Sequence, residues 1–382
     1  MIVVLADDFS GAAEVAGIAL RYGLSVEILP DLESPSDAGL IVIDSNTRAG
    51  SAEEARIVIT ALSRQIKRQT PEWVYKKIDS VLRGHILFEL QAMASVLNKP
   101  CILIVPANPS QRRIVKEGCY TIDGIPLDQT VFAADPEFPR LTANISELLP
   151  GVSCLKNLPE TAYVVNNCTG PALAEAADMS DIRHWAKSVT PDVLPAGAAD
   201  FFCALLEINR PKPQCAAVQK KYKAGNKRLI ISGSLASQTR ALLNKRDKKG
   251  YAHCPLTPLS SDDSDSFPSQ LNRWTNQVLS AFEQKQHVIA YVSQTVDERY
   301  TDGKKMIHLI AEMVRSVIQQ VRIDELVIEG GSTASQILCA LNWQRVKPVL
   351  ELAPGVVVLH LFDDMQLQLV VKPGSYPWPE QL

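Results

Sequence analysis

The chain has 382 residues, 46% of them hydrophobic and 21% charged, with a formal net charge of −3. That length exceeds one average domain and suits two, each able to bury its own core. The charge balance offers no basic field for a phosphate backbone, which excludes nucleic acid as an expected partner.

The amino terminus reaches Asp7 and Asp8 after six residues, so it reads as neither a signal peptide nor a membrane span. No other apolar run approaches spanning length, and the expected compartment is the cytoplasm, with no membrane partner. Short apolar runs at 2–6, 40–43, 74–78, 101–105 and 163–165 are apolar on both faces, the pattern of buried parallel strands. Helical patterns lie between them: 11–22 with Gly23 as a stop, and 51–69 opening on a Ser-Ala-Glu-Glu cap. Between about Glu207 and Lys227 this rhythm breaks at two prolines, a basic run and a Gly-Asn pair, whose middle reads as an inter-domain linker. The Lys220, Lys221, Lys223 group and the Lys245, Arg246, Lys248, Lys249 group read as solvated helix ends or linker. A second set of strands follows at 229–232, 288–292, 326–328, 356–361 and 367–371, with 260–270 as a polar surface loop. The expected fold is α/β: two three-layer domains with mostly parallel sheets, spanning residues 1–212 and 226–382.

Eight cysteines spread from Cys101 to Cys339 include no CxxC pair; Cys101, Cys168 and Cys203 lie in apolar stretches and read as small core residues. Six scattered histidines form no metal-ligand pattern. Phosphate-binding GxxxxGK[ST], dinucleotide GxGxxG, GxSxG and HExxH motifs are absent from the places that would give them meaning.

Candidate sites stand at strand ends, where ligands of open α/β sheets gather. Asp7 and Asp8 follow the first strand; either could cap the next helix while the other binds hydroxyls or a metal, or acts as a base. Lys76, Lys77, Asp79, Ser80 and Arg83 crowd the end of the third predicted strand, and an Arg fork suits a carboxylate. Asp44 to Arg48 and Pro106 to Pro109 follow two more strands. These loops together predict a cleft for a small, oxygen-rich, anionic molecule. In the second half Glu329-Gly330-Gly331-Ser332-Thr333 precedes a helix expected over 334–340; Ser232-Gly233-Ser234 repeats that layout, and Gly355 and Gly374 sit in two further loops. Glycine and hydroxyl residues ahead of a helix suit phosphate.

The segments ADDFSGA (6–12), KKIDSVLRG (76–84), SGS (232–234), GGSTA (330–334) and PG (354–355) resemble, in order and nearly end to end, the four-carbon acid-sugar kinase family. The chain departs from it at Ser10, Val81, His85 and in its KPGSYPWPEQL ending, where Pro373 replaces a small residue. The resemblance implies an N-terminal acid-sugar domain, a C-terminal ATP domain and an active site in the cleft between them. It implies phosphoryl transfer from ATP to a terminal hydroxyl of a tetronate of threonate, erythronate or 3-oxo-tetronate type. On it, Asp8 and Asp79 are the candidate catalytic residues, and Asp7, Lys76, Lys77, Arg83 and Arg48 bind the acid sugar, with Arg83 as carboxylate clamp. Ser232, Ser234, Gly330, Gly331, Ser332, Thr333, Gly355 and Gly374 bind nucleotide, and Mg²⁺ neutralises the phosphates with mostly water ligands. A homodimer is an open expectation. Two rivals stay open, a non-catalytic sugar-acid or nucleotide sensor and a different acid-sugar enzyme such as a dehydrogenase or isomerase, although the missing dinucleotide glycines oppose the dehydrogenase.

Overall fold

A computed structural model describes residues 1–135, 138–156, 169–210, 222–233, 250–257, 267–292, 303–362, 364, 366–374 and 376–382. Two compact units divide it, Met1–Ala217 and Val218–Leu382.

The first unit runs β1 (Ile2–Ala6), α1 (Phe9–Arg21), β2 (Val26–Leu29), β3 (Leu40–Asp44), α2 (Ala52–Gln69), β4 (Trp73–Lys77), α3 (Ile86–Leu97) and β5 (Cys101–Val105). It continues with β6 (Arg113–Lys116), β7 (Cys119–Ile122), β8 (Ile125–Pro126), α4 (Ile145–Leu148), β9 (Ser153–Leu155), β10 (Gly170–Ala174), α5 (Met179–Lys187), β11 (Val193–Gly197) and α6 (Ala199–Asn209). The main sheet has the order β2-β3-β1-β4-β11-β5-β10-β9, and every pairing within it is parallel. β1 and β5 are buried at every residue, which explains their unbroken apolar runs. α2 carries the expected capping box, Ser51 with Glu54. α1 starts at Phe9 rather than residue 11, because Asp8 caps it.

Three elements escape the hydrophobic pattern. β11 contains Pro195 and ends on Gly197, a composition that ordinarily argues against a central strand. Yet a Cβ on Gly197 would lie 2.3 Å from the Val105 carbonyl oxygen, so only glycine lets β11 close on β5. The second is the small antiparallel sheet β6-β7-β8, inserted after β5. The third is α6, which runs to Asn209 and so carries regular structure past Glu207 into the stretch read as broken. The run at 163–165 lies outside the described residues.

The second unit runs β12 (Arg228–Ser232), β13 (Ala252–Leu256), α7 (Phe267–Gln284), β14 (His287–Val292), α8 (Gly303–Gln320), β15 (Glu325–Glu329), α9 (Gly331–Ala340), β16 (Val346–Ala353), β17 (Val356–Leu361) and β18 (Gln368–Lys372). Its order is β13-β14-β12-β15-β18-β17-β16, parallel through β18 and antiparallel across β17 and β16. Phe267 to Gln270 belong to α7 rather than to a loop: a proline next to a helix start loses no hydrogen bond there, and Gln270 is buried. Ahead of β12, Tyr222 and the Gly225 amide bond the Glu325 carboxylate, at 2.5 and 3.1 Å, so residues 222–225 are built into this unit.

Candidate active-site clusters

Strand register decides which residues of the first unit meet. Ala6 pairs with Asp44 and with Lys77, Lys77 with Gly197, and Gly197 with Val105. These strands therefore end level, and the residues that follow them share one sheet edge. Asp7 and Asp8 follow β1; Ser45 to Arg48 follow β3 and are drawn inward by amide bonds from Thr47 and Arg48 to the Asp7 carbonyl, at 3.1 and 3.3 Å. Ile78 to Gly84 follow β4 in a tight turn that holds Leu82 at φ +64°, a left-handed backbone that branched apolar residues seldom adopt.

Arg48 is the hub. Its Nε and Nη2 hold both oxygens of Asp7, at 2.7 and 3.0 Å, and its Nη1 reaches Asp8 at 2.7 Å. Burial alone would raise the Asp7 carboxyl, but Arg48 and, more weakly, Lys76 outweigh it and hold that group below the usual carboxylate range. Asp8 is also the helix cap: it accepts from the Gly11 amide at 2.9 Å and from the Ser10 hydroxyl at 2.6 Å. Of the two roles the sequence left open for Asp8, capping is therefore observed directly.

Arg83 grips Asp79 in the same two-pronged way, at 3.0 and 2.9 Å, and extends Nη1 to Asp135 at 3.0 Å. Burial raises the Asp79 carboxyl, yet Arg83 and Arg48 together push it far below its ordinary value. A carboxylate stabilised in this way orients a hydroxyl well and is a poor proton acceptor at neutral pH. The fork of Arg83, expected to meet a substrate carboxylate, thus meets a protein one.

Lys76 and Lys77 face the interior. Lys76 is fully buried with Nζ 2.7 Å from Glu89, and Lys77 Nζ lies 3.2 Å from Glu14. They serve as counter-ions beneath the site, since a buried ammonium needs a partner of opposite charge. Thr47 donates to the same Glu89 at 2.7 Å, joining this layer to the β3 loop. Asp135, Glu89, Glu14, Arg113, Tyr120 and Arg140 were not expected from sequence. Arg113 donates to Ser80, while the wholly buried Tyr120 hydroxyl has no hydrogen-bond partner among the described residues. Arg140 Nη1 and Nε donate to the carbonyls of Leu82 and Phe138, both at 2.9 Å. Over 128–140 only Asp128, Asp135 and Arg140 are Asp or Arg, with no period and no motif, so the sequence carried no usable signal for them.

In the second unit Ser232, Glu329 and Lys372 are the last residues of three adjacent parallel strands and lie level in register. Ser232 donates to one oxygen of Glu329 at 2.5 Å and Lys372 Nζ to the other at 2.8 Å, both charges being fully buried. The remaining Lys372 protons point to the carbonyls of Pro373 and Gly374, at 2.7 and 3.4 Å. Burial lowers the Lys372 ammonium and Glu329 only partly restores it. The Gly330 amide bonds the Lys372 carbonyl at 2.8 Å, so the glycine loop is tied to β18 through main chain and side chain alike.

Gly330 adopts φ +104°, which excludes other residues, and α9 starts at Gly331 rather than 334. Gly331, Ser332 and Thr333 thus form the first helical turn, and no side chain caps them. Their amides and the positive helix end suit an anionic oxygen. A Cβ on Gly233 would lie 2.6 Å from the Thr333 hydroxyl oxygen, which draws the β12 loop against the same turn. Gly355 has a different use. With Pro354 it forms the turn between β16 and β17, at φ +72°, and a Cβ there would lie 2.7 Å from the Tyr376 ring, so the turn and the Tyr376 contact both call for a glycine. Ser234 lies outside the described residues.

Residues 2–163 match the family model of a sugar-binding N-terminal domain, and residues 229–376 that of a nucleotide-binding C-terminal domain. The chain is 26% identical to a D-threonate kinase of Salmonella typhimurium, over 98% of this chain and 95% of that protein. It is 29% identical to a D-erythronate kinase of Heliobacterium modesticaldum, over 67% and 62% of the respective lengths. A 3-oxo-tetronate kinase of Haemophilus influenzae is 22% identical over 98% and 97%. The fold is also that of a Haemophilus influenzae protein of family DUF1537, with a TM-score of 0.66 at 19% identity, over 98% of this chain and 96% of that one. With both domain models in order and kinases of this kind matched over almost its full length, the chain belongs to the four-carbon acid-sugar kinase family.

Proposed function

We propose that the chain is an ATP-dependent kinase that phosphorylates a hydroxyl of a four-carbon acid sugar of threonate, erythronate or 3-oxo-tetronate type. One observation carries the reading: the sugar-binding and nucleotide-binding models fall on the two units that each gather polar groups at the carboxyl ends of parallel strands. We assign acceptor binding to residues 1–212 and nucleotide binding to residues 226–382.

Phosphoryl transfer asks the protein for alignment and charge neutralisation more than for covalent chemistry. Asp79 and Asp7, kept ionised by Arg83 and Arg48, accept hydrogen bonds from acceptor hydroxyls and set their orientation. Each of these guanidiniums donates three of its five N–H groups to carboxylates and keeps the others for substrate oxygens. Asp8, fixed by its cap, faces the attacking hydroxyl, which passes its proton to solvent or product phosphate as the bond forms. Gly331, Ser332 and Thr333 receive the nucleotide phosphates on their amides, with Gly330 and Gly374 giving backbone access and Ser232 steadying the loop through Glu329.

Mg²⁺ bound with the nucleotide would supply charge neutralisation at the phosphate oxygens. No group of three His, Cys, Asp or Glu among the described residues could hold a metal ion, and Mg²⁺ bound with a nucleotide ordinarily keeps phosphate and water ligands.

The test is ADP release with ATP and Mg²⁺ against D-threonate, D-erythronate and 3-oxo-tetronate. Turnover of at least one is expected and should vanish in excess chelator. Binding of both ligands without ADP release would favour a sensor, and turnover that requires a nicotinamide cofactor would remove the kinase reading.

A further inference from the structure

Beside the acceptor site, Arg140 is a cation with no contact counter-ion among the described residues. Arg48 is saturated along its two-pronged edge by Asp7 and Arg83 along its own by Asp79. Arg140 is part-buried in the same region, yet among the described residues it donates only to two main-chain carbonyls, Leu82 and Phe138, and forms no ion pair. Two neutral acceptors leave three of the five guanidinium N–H groups for another partner.

Its position is held on both sides. The Arg140 amide bonds the Phe132 carbonyl at 2.9 Å, and the Phe132 ring lies 5.5 Å from the Arg83 guanidinium carbon and 5.6 Å from that of Arg113. On the other side the carbonyl of Leu82, the residue held at φ +64° beside Arg83, points to Arg140. Strained backbone persists where surrounding structure enforces it, and here it aims an acceptor at one guanidinium. Burial, the largest influence on Arg140, weakens its hold on the proton; Asp79 and Asp135 act on it from a distance and only partly compensate. The orphaned Tyr120 hydroxyl lies within electrostatic reach of Arg113 and Asp79. A desolvated cation of this kind gains most from an anion placed against its open edge.

We infer that Arg140, rather than Arg83, binds the carboxylate of the acceptor and so makes the site select acids over uncharged polyols. The inference rests on the acceptor-site reading above and adds a specificity residue to it.

Wild-type protein, Arg140→Gln and Arg140→Lys are compared by ADP release and by calorimetric binding. The probes are D-threonate, D-erythronate and the matching uncharged tetritols. Arg140→Gln should lose at least about tenfold in kcat/KM for the acids, through KM, with tetritol turnover and ATP affinity within about twofold of wild type. Arg140→Lys, which keeps a point charge but no fork, should fall between the two.

A folded Arg140→Gln with acid efficiency within twofold of wild type overturns the inference. So does an equal loss for acid and tetritol, the mark of a merely structural residue. Should Arg140→Gln not fold, the ratio of acid to tetritol efficiency in Arg140→Lys decides the matter: a lowered ratio supports the carboxylate role and an unchanged one overturns it. Failure of the kinase reading looks different. It would appear as acid binding that depends on Arg140 in a wild-type protein that releases no ADP, and that result supports the carboxylate role by itself.

Discussion

Both units present polar groups at the carboxyl ends of parallel strands, but they reverse the parts played by side chain and main chain. In the first unit charged side chains gather at the strand ends: Arg48 and Arg83 hold Asp7, Asp8, Asp79 and Asp135 in fixed orientations. In the second the charges are sealed beneath the surface as Glu329 and Lys372, and what remains to meet a ligand is the backbone of Gly330 to Thr333. The difference matches the ligands proposed. A sugar acid must be read hydroxyl by hydroxyl, which needs directional acceptors, whereas phosphates are alike and can be met by amides and a helix end.

The largest effect expected from that comparison belongs to Arg48→Met. It leaves Asp7 and Asp8 buried without their contact cation, which costs about 3–5 kcal/mol of stability in the first unit. Acceptor efficiency should fall by about 100-fold or more, because both carboxylates lose their orientation. Denaturant titration and ADP-release kinetics measure the two losses, and nucleotide affinity should stay within about twofold. A change in stability below about 1 kcal/mol would show that the pairs are surface decoration.

A smaller, sharper effect is expected at the Lys372–Glu329 pair. Lys372→Met should weaken nucleotide binding by about tenfold and destabilise the second unit by about 3 kcal/mol, because the buried charge of Glu329 loses the ammonium that faces it. The double variant Lys372→Met with Glu329→Met removes both charges and should recover most of the stability. Nucleotide affinity should stay low in it, since nothing then holds the carbonyls of Pro373 and Gly374 beside the glycine loop. Affinity that returned together with stability would mean that the pair supports only the fold.

The smallest effect concerns acid. The folded-state values of Asp7 and Asp79 both lie below the ordinary 3.8. Groups lowered on folding contribute stability above their unfolded value and lose it as pH falls through the folded one. Thermal stability of the first unit should therefore change little between about pH 7 and 5 on their account and decline only below about pH 4. Asp79→Asn should make that decline shallower. An unaltered acid profile in the variant would mean that Asp79 contributes little to it.

Much of this protein can be read from its residues in order. Apolar runs such as Ile2–Ala6 and Cys101–Val105 announce buried parallel strands, Ser51 and Glu54 announce a helix start, and the Asp- and Gly-rich segments after strands announce where ligands belong. These are local signals, set by burial on two faces and by capping chemistry within a few residues. β11 could not be read in this way, because its Gly197 is explained by contact with Val105 and not by its neighbours in sequence.

The charge partners within the clusters were likewise decided by tertiary structure. Arg48 lies 41 residues from Asp7, Asp135 lies 52 from Arg83, and Lys372 lies 43 from Glu329. Sequence alone showed the charges of Arg83, Lys76 and Lys77 without the carboxylates that they meet in the fold. What settles the partner of a buried charge is which strands lie side by side and where they end in register. A guanidinium or ammonium removed from water takes the nearest carboxylate that the sheet supplies, and only the sheet determines which one that is.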